Sequence, residues 1–316
     1  MSTSPAAPRV VAVVVAYNRA ELLDQALGAL RAQTRPLDEI VVIDNASTDA
    51  SSAVAERHGV QLVRLERNTG GAGGFAAGLA VALDRFAADL VWLMDDDTIP
   101  TESALAELLR VREELGDEPP LLGSRVVWTD GSDHPMNMPR RRPGAGAVPR
   151  AEALGALPVR SSSFVSMLVD GRAARATTLP VADYFIWNDD FEYSLRLLRD
   201  RLGYLVPSSV VVHKTRVLGS TDADPGERFY YEVRNKLWLL RFSSGLHGRE
   251  RLLYAGASAR RWLRTFRRSE DRATLRRAAS RGWRDGWRTR PRPNAVSLGD
   301  LPVAAEVARL EGAVPR

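Results

Sequence analysis

The 316-residue sequence contains no cysteine, which excludes disulfide bonds and any chemistry that depends on a thiolate. It contains no apolar run close to the ~20 residues that a membrane-spanning helix needs. Its N-terminus lacks the charged and apolar regions of a secretory signal peptide. Hydrophobic residues make up 45% of the chain, which is enough for a substantial core. We therefore expect a soluble, cytoplasmic protein with one large or two small domains.

Lysine is nearly absent as well, because Lys214 and Lys236 are the two lysines among 44 basic residues. The arginines are unevenly distributed: residues 249–292 hold fifteen of them against four acidic residues. That segment has a net charge of +11, which leaves −6 for the rest of a chain whose formal charge is +5. A basic segment on a mildly acidic body predicts an anionic partner, and Pro291, Pro293 and Pro302 predict a loosely packed C-terminus.

Four aromatic residues lie among these arginines: Trp262, Phe266, Trp283 and Trp287. Basic charge with aromatic residues is found in nucleic-acid-binding proteins. Trp283 and Trp287 lie four residues apart, as they would on a helix that rests on an anionic membrane. A third interpretation is a pair of solvated basic helices packed on the core. The residues alone leave the three interpretations open.

Strands and helices alternate through the first part of the sequence. Residues 9–17 form a β-branched run typical of a central strand, and 19–33 carries leucines and alanines on one helical face after Asn18, a candidate N-cap. Further strands are predicted at 39–43 and 61–65. Short links between alternating strands and helices predict an α/β fold with a parallel sheet.

A glycine-rich stretch, residues 68–78, follows the third predicted strand and leads into a helix. Glycines in a loop before a helix can expose backbone NH groups to a phosphate. A dinucleotide site would require them after the first strand, so this interpretation fits poorly. Two others stay open: the loop lets the helix pack beneath a nucleotide-sugar, or the glycines only allow helix and sheet to approach closely.

An apolar run, residues 90–94, ends at three consecutive carboxylates, Asp95, Asp96 and Asp97. Such a run is typical of a buried strand, and open α/β sheets bind ligands at the carboxyl ends of their strands. Because side chains alternate along an extended chain, Asp95 and Asp97 should lie on one side and Asp96 on the other. A divalent metal bound to Asp95 and Asp97 and bridging to phosphate would compensate their charge. A solvated acidic loop is the alternative.

A second acidic pair, Asp189 and Asp190, precedes leucines at helical spacing and should lie in the first turn of a helix. The pair could cap that helix, or it could supply the carboxylate that acid–base catalysis requires. His213 follows a short predicted strand, 210–212, just as the aspartate triplet follows its own strand. It could therefore be a metal ligand, or it could be a structural imidazole. Residues 129–160 show no periodicity and predict a long loop.

These stretches, in their order along the chain, resemble the family 2 inverting glycosyltransferases of the GT-A fold, an α/β fold with a Rossmann-like, mostly parallel sheet flanked by helices. The resemblance covers residues 9–215. It is carried by Ala16–Arg19, Ile43–Asp49, Asn68–Gly74, Asp95–Asp97 and Asp189–Asp190. It implies a GT-A glycosyltransferase domain over residues 1–240 and a basic, helical C-terminal extension over residues 241–316.

Within that family the sequence is similar to a narrower group. Residues 68–75 and 92–97 resemble the galactofuranosyltransferases of mycolate-containing cell walls, and 187–193 resembles their Trp-Asp-Asp-x-Asp-Tyr segment. The match departs at Asn188 and Glu192, and bacterial rhamnosyltransferases share the glycine-rich loop. The resemblance implies transfer of galactofuranose from UDP-galactofuranose, with rhamnose from dTDP-rhamnose as the alternative.

The resemblance also implies a role for single residues that bind the donor. Tyr17 would stack on the nucleobase, Asp44 would accept a hydrogen bond from its ring NH, and Asp96 would contact the ribose. Further donor-binding candidates are Asn18, Arg19, Asn68, Gly70 and Gly71. Mn²⁺ or Mg²⁺ would be bound against the diphosphate by three residues: Asp95, Asp97 and His213.

On the acceptor side, the resemblance implies that Asp190 deprotonates the acceptor hydroxyl for a single in-line displacement, which inverts the anomeric centre. Asp189 is the alternative base, with Asp190 then capping the helix. Trp187 is the candidate acceptor-binding residue. The implied acceptor is a lipid-linked glycan. We therefore expect the protein at the inner face of the cell membrane, held on anionic lipid by its basic C-terminal region, and no nucleic acid partner.

Two rival classes remain. A nucleotidyltransferase on a similar sheet would need a basic phosphate-binding motif in the first loop, where Ala16–Arg19 offers a single arginine. A non-catalytic polyanion-binding protein would account for the basic segment alone. Release of a nucleoside diphosphate from a sugar nucleotide is expected of the transferase and of neither rival.

Overall fold

The computed structural model of the protein describes residues 7–116, 119–142, 148–215, 218 and 224–313. Within these residues the strands are Val10–Ala16 (β1), Glu39–Asp44 (β2), Gln61–Arg64 (β3), Leu90–Asp95 (β4), Thr98–Pro100 (β5), Leu121–Val127 (β6), Arg140–Arg141 (β7), Leu157–Ser161 (β8), Met167–Asp170 (β9) and Gly203–His213 (β10). The helices are Ala20–Arg31 (α1), Ser51–Arg57 (α2), Gly70–Asp84 (α3), Ala104–Leu115 (α4), Pro149–Ala153 (α5), Gly171–Arg175 (α6), Asp189–Leu197 (α7), Phe229–Phe242 (α8), Gly248–Arg268 (α9), Arg272–Arg288 (α10), Asn294–Ser297 (α11) and Ala304–Ala313 (α12).

The strands form one mixed sheet that is parallel in its N-terminal half. The strand order is β3-β2-β1-β4-β9-β6-β10-β8-β7, and β5 pairs with β10. Strands β1 to β4 pair in parallel, as the alternation of strands and helices predicts. Strand β9 runs antiparallel to β4 and β6, whereas β10 runs parallel to β6. The prediction of an α/β fold with a mostly parallel sheet is confirmed.

Helices cover both faces of the sheet, and the sheet divides the hydrophobic core into two clusters. On β1, Val11, Val13 and Val15 pack in the cluster that includes α3, while Val10 and Val14 pack in the cluster that includes α1 and α4. Every residue of β1 is buried. A strand buried on both faces must be apolar throughout, which explains why the run at 9–17 does not alternate.

Glycines allow α3 to lie directly against the sheet. A Cβ on Gly74 would come within 2.5 Å of Val15 Cγ1, and one on Gly78 within 2.3 Å of Val13 Cγ1. The prediction of a loop in this stretch is wrong from Gly70 onward, because α3 begins there. Close packing therefore accounts for Gly74 and Gly78, and it brings the N-terminus of α3 close to the strand ends.

Two regions that the sequence predicted to be irregular contain regular structure. The predicted loop at 129–160 includes β7, α5 and most of β8, which are too short to show a periodicity; its residues 143–147 lie outside the described residues. The prediction of a loose C-terminus is wrong for residues 294–313. There, Val303 and Val307 are buried in the same cluster as α3, and Arg309 pairs with Asp84 at 2.6 Å.

Helices α8, α9 and α10 form a layer beside the sheet, and α10 packs closely on α8. A Cβ on Gly282 would lie 2.6 Å from the Tyr230 carbonyl oxygen, and one on Gly286 would lie 2.8 Å from Leu237 Cβ. The domain boundary predicted at residue 240 falls near the end of α8 and stays a prediction. Among the described residues, no helix combines the length and apolar character needed to cross a bilayer.

Candidate active site

A cleft of about 1180 Å³ opens at the carboxyl ends of the central strands. One half of the cleft, which we name the donor half after the donor-binding residues predicted from the sequence, is formed by the residues that follow β1, β2 and β4 and by the N-terminus of α3. Its acceptor half is formed by the N-terminus of α7 and by residues of α8 and α9. Binding at the carboxyl edge of a parallel sheet is the rule for open α/β folds.

Asp95, Asp97 and His213 come together on the floor of this cleft. One possible ligand atom from each lies within 4.8 Å of the others, and His213 Nε2 lies 3.0 Å from Asp97 Oδ1. Strand β5 brings them together, because it pairs antiparallel with β10 and sets Thr98 opposite His213. Two carboxylates and an imidazole are a donor set that suits Mn²⁺ and can accept Mg²⁺. The residues therefore fit a divalent cation.

The charges of this cluster are interdependent. Burial and the neighbouring Asp97 raise the pKa of Asp95 to about 6. Burial is the largest single influence on Asp97 and His213 too and opposes their charges, but their hydrogen bond and the charges around them together outweigh it: the pKa of Asp97 is lowered and that of His213 is raised. Arg19 pairs with Asp97, and its Nη1 lies 3.3 Å from Asp96 Oδ1. The charges of His213 and Arg19 lower the pKa of Asp95, but they offset only part of the effect of burial and of Asp97.

Asp96 lies outside the group formed by its two neighbours and His213. Its carboxylate is buried, and Oδ2 accepts a hydrogen bond of 2.9 Å from the backbone NH of Tyr17. Burial raises the pKa of Asp96 to about 7. The middle aspartate therefore connects the end of β4 to the loop after β1, at the wall where a donor would bind.

Asn137 orients His213. Its Oδ1 lies 3.1 Å from Nδ1 of His213, and the ring of His134 packs on the His213 ring with centroids 5.0 Å apart. An amide oxygen at that position accepts the Nδ1 proton, which leaves Nε2 to face Asp97. Asn137 lies in the stretch predicted to be a featureless loop, and nothing in the sequence pointed to it.

The loops after β1 and β2 hold each other in place. Asn18 has a left-handed φ of 53°, and its Oδ1 accepts a 2.7 Å hydrogen bond from the backbone NH of Thr48. The prediction that Asn18 caps α1 is therefore wrong, since its side chain bonds to the neighbouring loop. Asp44 is buried, and its Oδ1 accepts a 2.8 Å hydrogen bond from the NH of Ser47. The ring of Tyr17, 44% exposed, lines the cleft beside these loops.

Asn45 and Asn68 fix the N-terminus of α3. The Oδ1 of Asn45 accepts from the NH of Thr69 at 2.8 Å, and its Nδ2 donates to the carbonyl of Gly70 at 2.9 Å. The Oδ1 of Asn68 accepts from the NH of Gly70 at 2.7 Å. Asn68, Gly70 and Gly71 line the cleft, as does Asn45, which was not among the predicted donor-binding residues. The position of Asn45 directly after β2 could have identified it from the sequence.

A strained turn precedes α7 in the acceptor half. Phe185, Trp187 and Asn188 have left-handed φ values of 66°, 65° and 67°. Such conformations cost about 1–3 kcal/mol each for bulky side chains and persist where the surroundings enforce them. Gly70 makes room for the turn, because a Cβ there would lie 2.0 Å from the Phe185 carbonyl oxygen. The turn presents Trp187 to the cleft.

Asn235, which is buried on α8, holds this turn together. Its Nδ2 donates to the carbonyl oxygens of Tyr184, Ile186 and Trp187 at 2.9, 2.8 and 2.9 Å. Sequence reasoning missed Asn235. An asparagine in the middle of a predicted helix was a signal, since its side chain competes with the helix for hydrogen bonds and is favoured where it bonds elsewhere.

Asp189 and Asp190 occupy the first turn of α7 and both line the cleft. Burial and the adjacent Asp190 hold the pKa of Asp189 well above its usual range. Burial also raises the pKa of Asp190, against hydrogen bonds from the Phe191 NH and the Ser163 hydroxyl. Asp190 is the more exposed of the two. A raised pKa suits a general base, because the group can then accept a proton near working pH.

Glu232 links the acceptor half to the basic extension. Its Oε2 accepts a 3.1 Å hydrogen bond from Asn188 Nδ2, and its Oε1 accepts from Trp262 Nε1 at 3.1 Å and from Arg261. Lys236, whose pKa burial lowers to about 8, donates to Asn188 Oδ1. The carboxylate of Glu232 therefore connects α9 to the turn before α7. The rarity of lysine in the chain was the signal for Lys236.

Solved structures with this architecture identify the fold. S. aureus TarS in complex with UDP covers 97% of this chain with a TM-score of 0.58 at 15% identity, and 83% of that chain is matched. The mannosyltransferase PcManGT from Pyrobaculum calidifontis, in complex with GDP-Man and Mn²⁺, covers 98% of this chain with a TM-score of 0.54 at 17% identity, and 86% of that chain is matched. Against a longer TarS structure, the chain spans 50% of that chain's length. The fold is the GT-A glycosyltransferase fold, as predicted.

Sequence comparison gives the family. The family description "Glycosyl transferase family 2" matches residues 11–164. Galactofuranosyltransferase GlfT1 of Mycobacterium tuberculosis is 33% identical in an alignment of 264 positions that covers 73% of this chain and 82% of that protein. The succinoglycan biosynthesis protein ExoO of Rhizobium meliloti is 31% identical over 127 residues, 39% of this chain and 35% of that protein. The chain belongs to glycosyl transferase family 2. The predicted family and enzyme class, a glycosyltransferase with a nucleotide-sugar donor, are confirmed.

Proposed function

We propose that this glycosyltransferase moves galactofuranose, with inversion, from UDP-galactofuranose to a hydroxyl of a lipid-linked glycan in cell-wall polysaccharide synthesis. The observation that supports it most is the meeting of Asp95, Asp97 and His213 with Asp189 and Asp190 in one cleft. The choice of sugar rests on the similarity to a galactofuranosyltransferase over most of both chains.

The donor would bind in the donor half of the cleft. The exposed ring of Tyr17 is available to stack on the nucleobase, with Asp44 accepting from its ring NH and Asp96 contacting the ribose. Arg19 would pair with the diphosphate when Asp97 has another partner. The side chain of Asn18 would act through the loop it fixes. The neighbours solved with UDP and GDP-Man support a nucleoside diphosphate at this position.

Asp95, Asp97 and His213 would hold Mn²⁺ or Mg²⁺, and Asn137 would keep Nε2 of His213 turned towards the site. A divalent ion bound there supplies positive charge to the diphosphate as it becomes the leaving group. The mannosyltransferase neighbour was solved with Mn²⁺, which supports this choice of ion.

The transfer would be one in-line displacement. The acceptor oxygen bonds to the anomeric carbon while the bond from that carbon to the diphosphate oxygen breaks, and UDP leaves with the electron pair. Asp190 takes the hydroxyl proton: its raised pKa suits this role, and its greater exposure in the cleft favours it over Asp189. Trp187, held outward by the strained turn, would stack on the acceptor sugar.

The proposed location is the cytoplasmic face of the membrane, where a lipid-linked acceptor is reached. Trp283 and Trp287 are 51% and 50% exposed on α10, with ring centroids 6.0 Å apart. Leu252 and Leu253 are exposed on α9 among arginines. Basic side chains near an anionic surface contribute about 1 kcal/mol each, and exposed aromatic rings suit the membrane interface.

The test is a panel of sugar nucleotides with Mn²⁺ and a lipid-linked acceptor. We expect UDP release and product with UDP-galactofuranose, and no turnover after the metal is chelated. Transfer from dTDP-rhamnose instead would contradict the proposed sugar and leave the transferase class in place. Turnover with a free oligosaccharide equal to that with the lipid-linked one would contradict the proposed acceptor.

A further inference from the structure

We propose that the hydrocarbon chain of the acceptor lies in an apolar groove between α9 and α10, outside the catalytic cleft. This inference rests on the proposed function, in which the acceptor is lipid-linked. The groove has a volume of about 350 Å³. Its floor is formed by Phe229 and Val233 of α8, and its walls by Trp262 and Phe266 of α9 and Ala279 and Trp283 of α10. Pockets that hold small ligands begin at about 300 Å³, so a short length of chain fits.

Helix α9 separates the groove from the catalytic cleft. Arg261 and Thr265 line the cleft, whereas Trp262 and Phe266, one position further along, line the groove. Side chains four residues apart share a helix face, so one turn of α9 presents a polar face to the cleft and an aromatic face to the groove. Phe229 borders both spaces. A molecule that passes over this turn therefore lies in both.

Basic side chains stand where the two spaces meet. Arg228 and Arg261 line the cleft on this side. Arg281 of α10 lies 3.5 Å from Glu227, and its guanidinium lies 5.2 Å from the centre of the Tyr230 ring. Guanidinium groups are well suited to phosphate oxygens. Polar cleft, arginines and apolar groove thus follow one another in the order of a glycan, a phosphate and a hydrocarbon chain. That order is the reason to assign the groove to the acceptor.

The dimensions of the groove distinguish this occupant from a partner protein. A partner helix would need an apolar stripe several turns long, with anchors at positions i, i+3, i+4 and i+7. The groove measures about 350 Å³, and Phe229 and Val233 form a buried floor at its base. A space of this volume holds a length of single hydrocarbon chain and is too small for the apolar stripe of such a helix.

The first experiment measures binding of farnesyl phosphate to the full chain, with inorganic phosphate as a probe of charge alone. Ala279→Phe places a ring in the groove, and Ala273→Phe adds the same ring at an exposed position of α10 as the matched control. We expect saturable binding that is at least tenfold weaker in Ala279→Phe and unchanged in Ala273→Phe. UDP binding, which should be equal in all three proteins, reports that each is folded.

Equal affinity of Ala279→Phe and the unaltered protein for farnesyl phosphate would overturn the proposal. Self-association that Ala279→Phe abolishes, with lipid binding unchanged, would assign the groove to a second copy and would also overturn it. A transfer assay separates this inference from the proposed function. If neither a lipid-linked nor a lipid-free glycan is an acceptor, the proposed function fails while the binding result stands. If both are acceptors, the groove predicts a KM about tenfold higher in Ala279→Phe for the lipid-linked acceptor alone, and an unchanged KM would contradict it.

Discussion

The donor half of the cleft is built on strand ends, whereas the acceptor half is built on helices that a few buried polar side chains hold in place. Asp95 is the last residue of β4 and His213 the last residue of β10. Both strands are paired on both sides, so backbone hydrogen bonds fix the positions of these residues. Asp189 and Asp190 follow a strained turn that depends on Asn235. We therefore expect that a single substitution in the acceptor half can impair acceptor use and leave donor binding intact. A substitution that impairs donor binding alone should be harder to find.

The largest effect is expected at the floor of the donor half. Asp97→Ala removes a proposed metal ligand and the partner of His213, and losing several kcal/mol of charge stabilisation should abolish measurable turnover and weaken UDP binding in Mn²⁺. Asp130→Ala, at an exposed turn, is the control and should retain full activity. Full turnover of the unaltered enzyme in EDTA would contradict a role for the metal.

Next in size is the change at the base. Asp190→Asn keeps the shape and the oxygen that accepts from the Phe191 NH but removes basicity, so kcat should fall by about 10²–10⁴-fold with UDP binding nearly unchanged. Asp189→Asn, measured in the same turnover assay, is the comparison. A near-normal rate in the Asp190 variant and a large loss in the Asp189 variant would reassign the base.

The pH dependence follows from the same carboxylate. Burial raises the pKa of Asp190 above the ordinary value of about 3.9 for aspartate. A base works when it is deprotonated, so kcat should fall as the pH decreases through this raised pKa and should be retained above it. The acid side of the pH–rate profile should therefore have its midpoint clearly above pH 4 and should disappear in Asp190→Asn. A profile flat down to pH 4 would show that this group is not the base.

Two buried asparagines test the comparison between the halves directly. Asn235→Leu leaves the carbonyls of Ile186 and Trp187 without their donor, at a cost of about 1–3 kcal/mol for each unsatisfied group, so kcat with acceptor should fall at least tenfold while UDP binding stays normal. Asn45→Leu, which loosens the N-terminus of α3, should weaken UDP binding instead. Loss of UDP affinity in Asn235→Leu alone would show that the halves are not independent.

The smallest effects are expected at the proposed membrane face. Removing residues after 248 would delete α10 and α12, which pack on α8 and α3, so exposed side chains are the better test. Arg288→Ala and Arg290→Ala should each weaken binding to anionic vesicles by about 1 kcal/mol, or about fivefold, and the difference should shrink as salt is added. Arg57→Ala, at an exposed position at the end of α2, should change nothing. If all variants co-sediment equally with anionic vesicles, the basic segment has a role other than membrane binding.

Local patterns predicted the donor half better than the acceptor half. The strands at 9–17 and 90–94 and the acids that follow them could be read from short apolar runs, because a buried strand and the polar end of that strand are adjacent in sequence. The turn before α7 carries no such pattern. Its left-handed residues, Phe185 and Trp187, are types that rarely adopt that conformation, and Asn235, which bonds to the Trp187 carbonyl, lies 48 residues later in the chain.

The sequence by itself determined the α/β class, the strand ends that carry aspartates and the start of α7, because each depends on residues within a few positions of one another. Only the tertiary structure decided which distant groups meet. His213 reaches Asp97 across 116 residues because β5 pairs with β10, and Arg261 reaches the turn before α7 because Glu232 connects α9 to it. Such meetings depend on strand pairing and helix packing over the whole chain, which no local spacing of residues encodes.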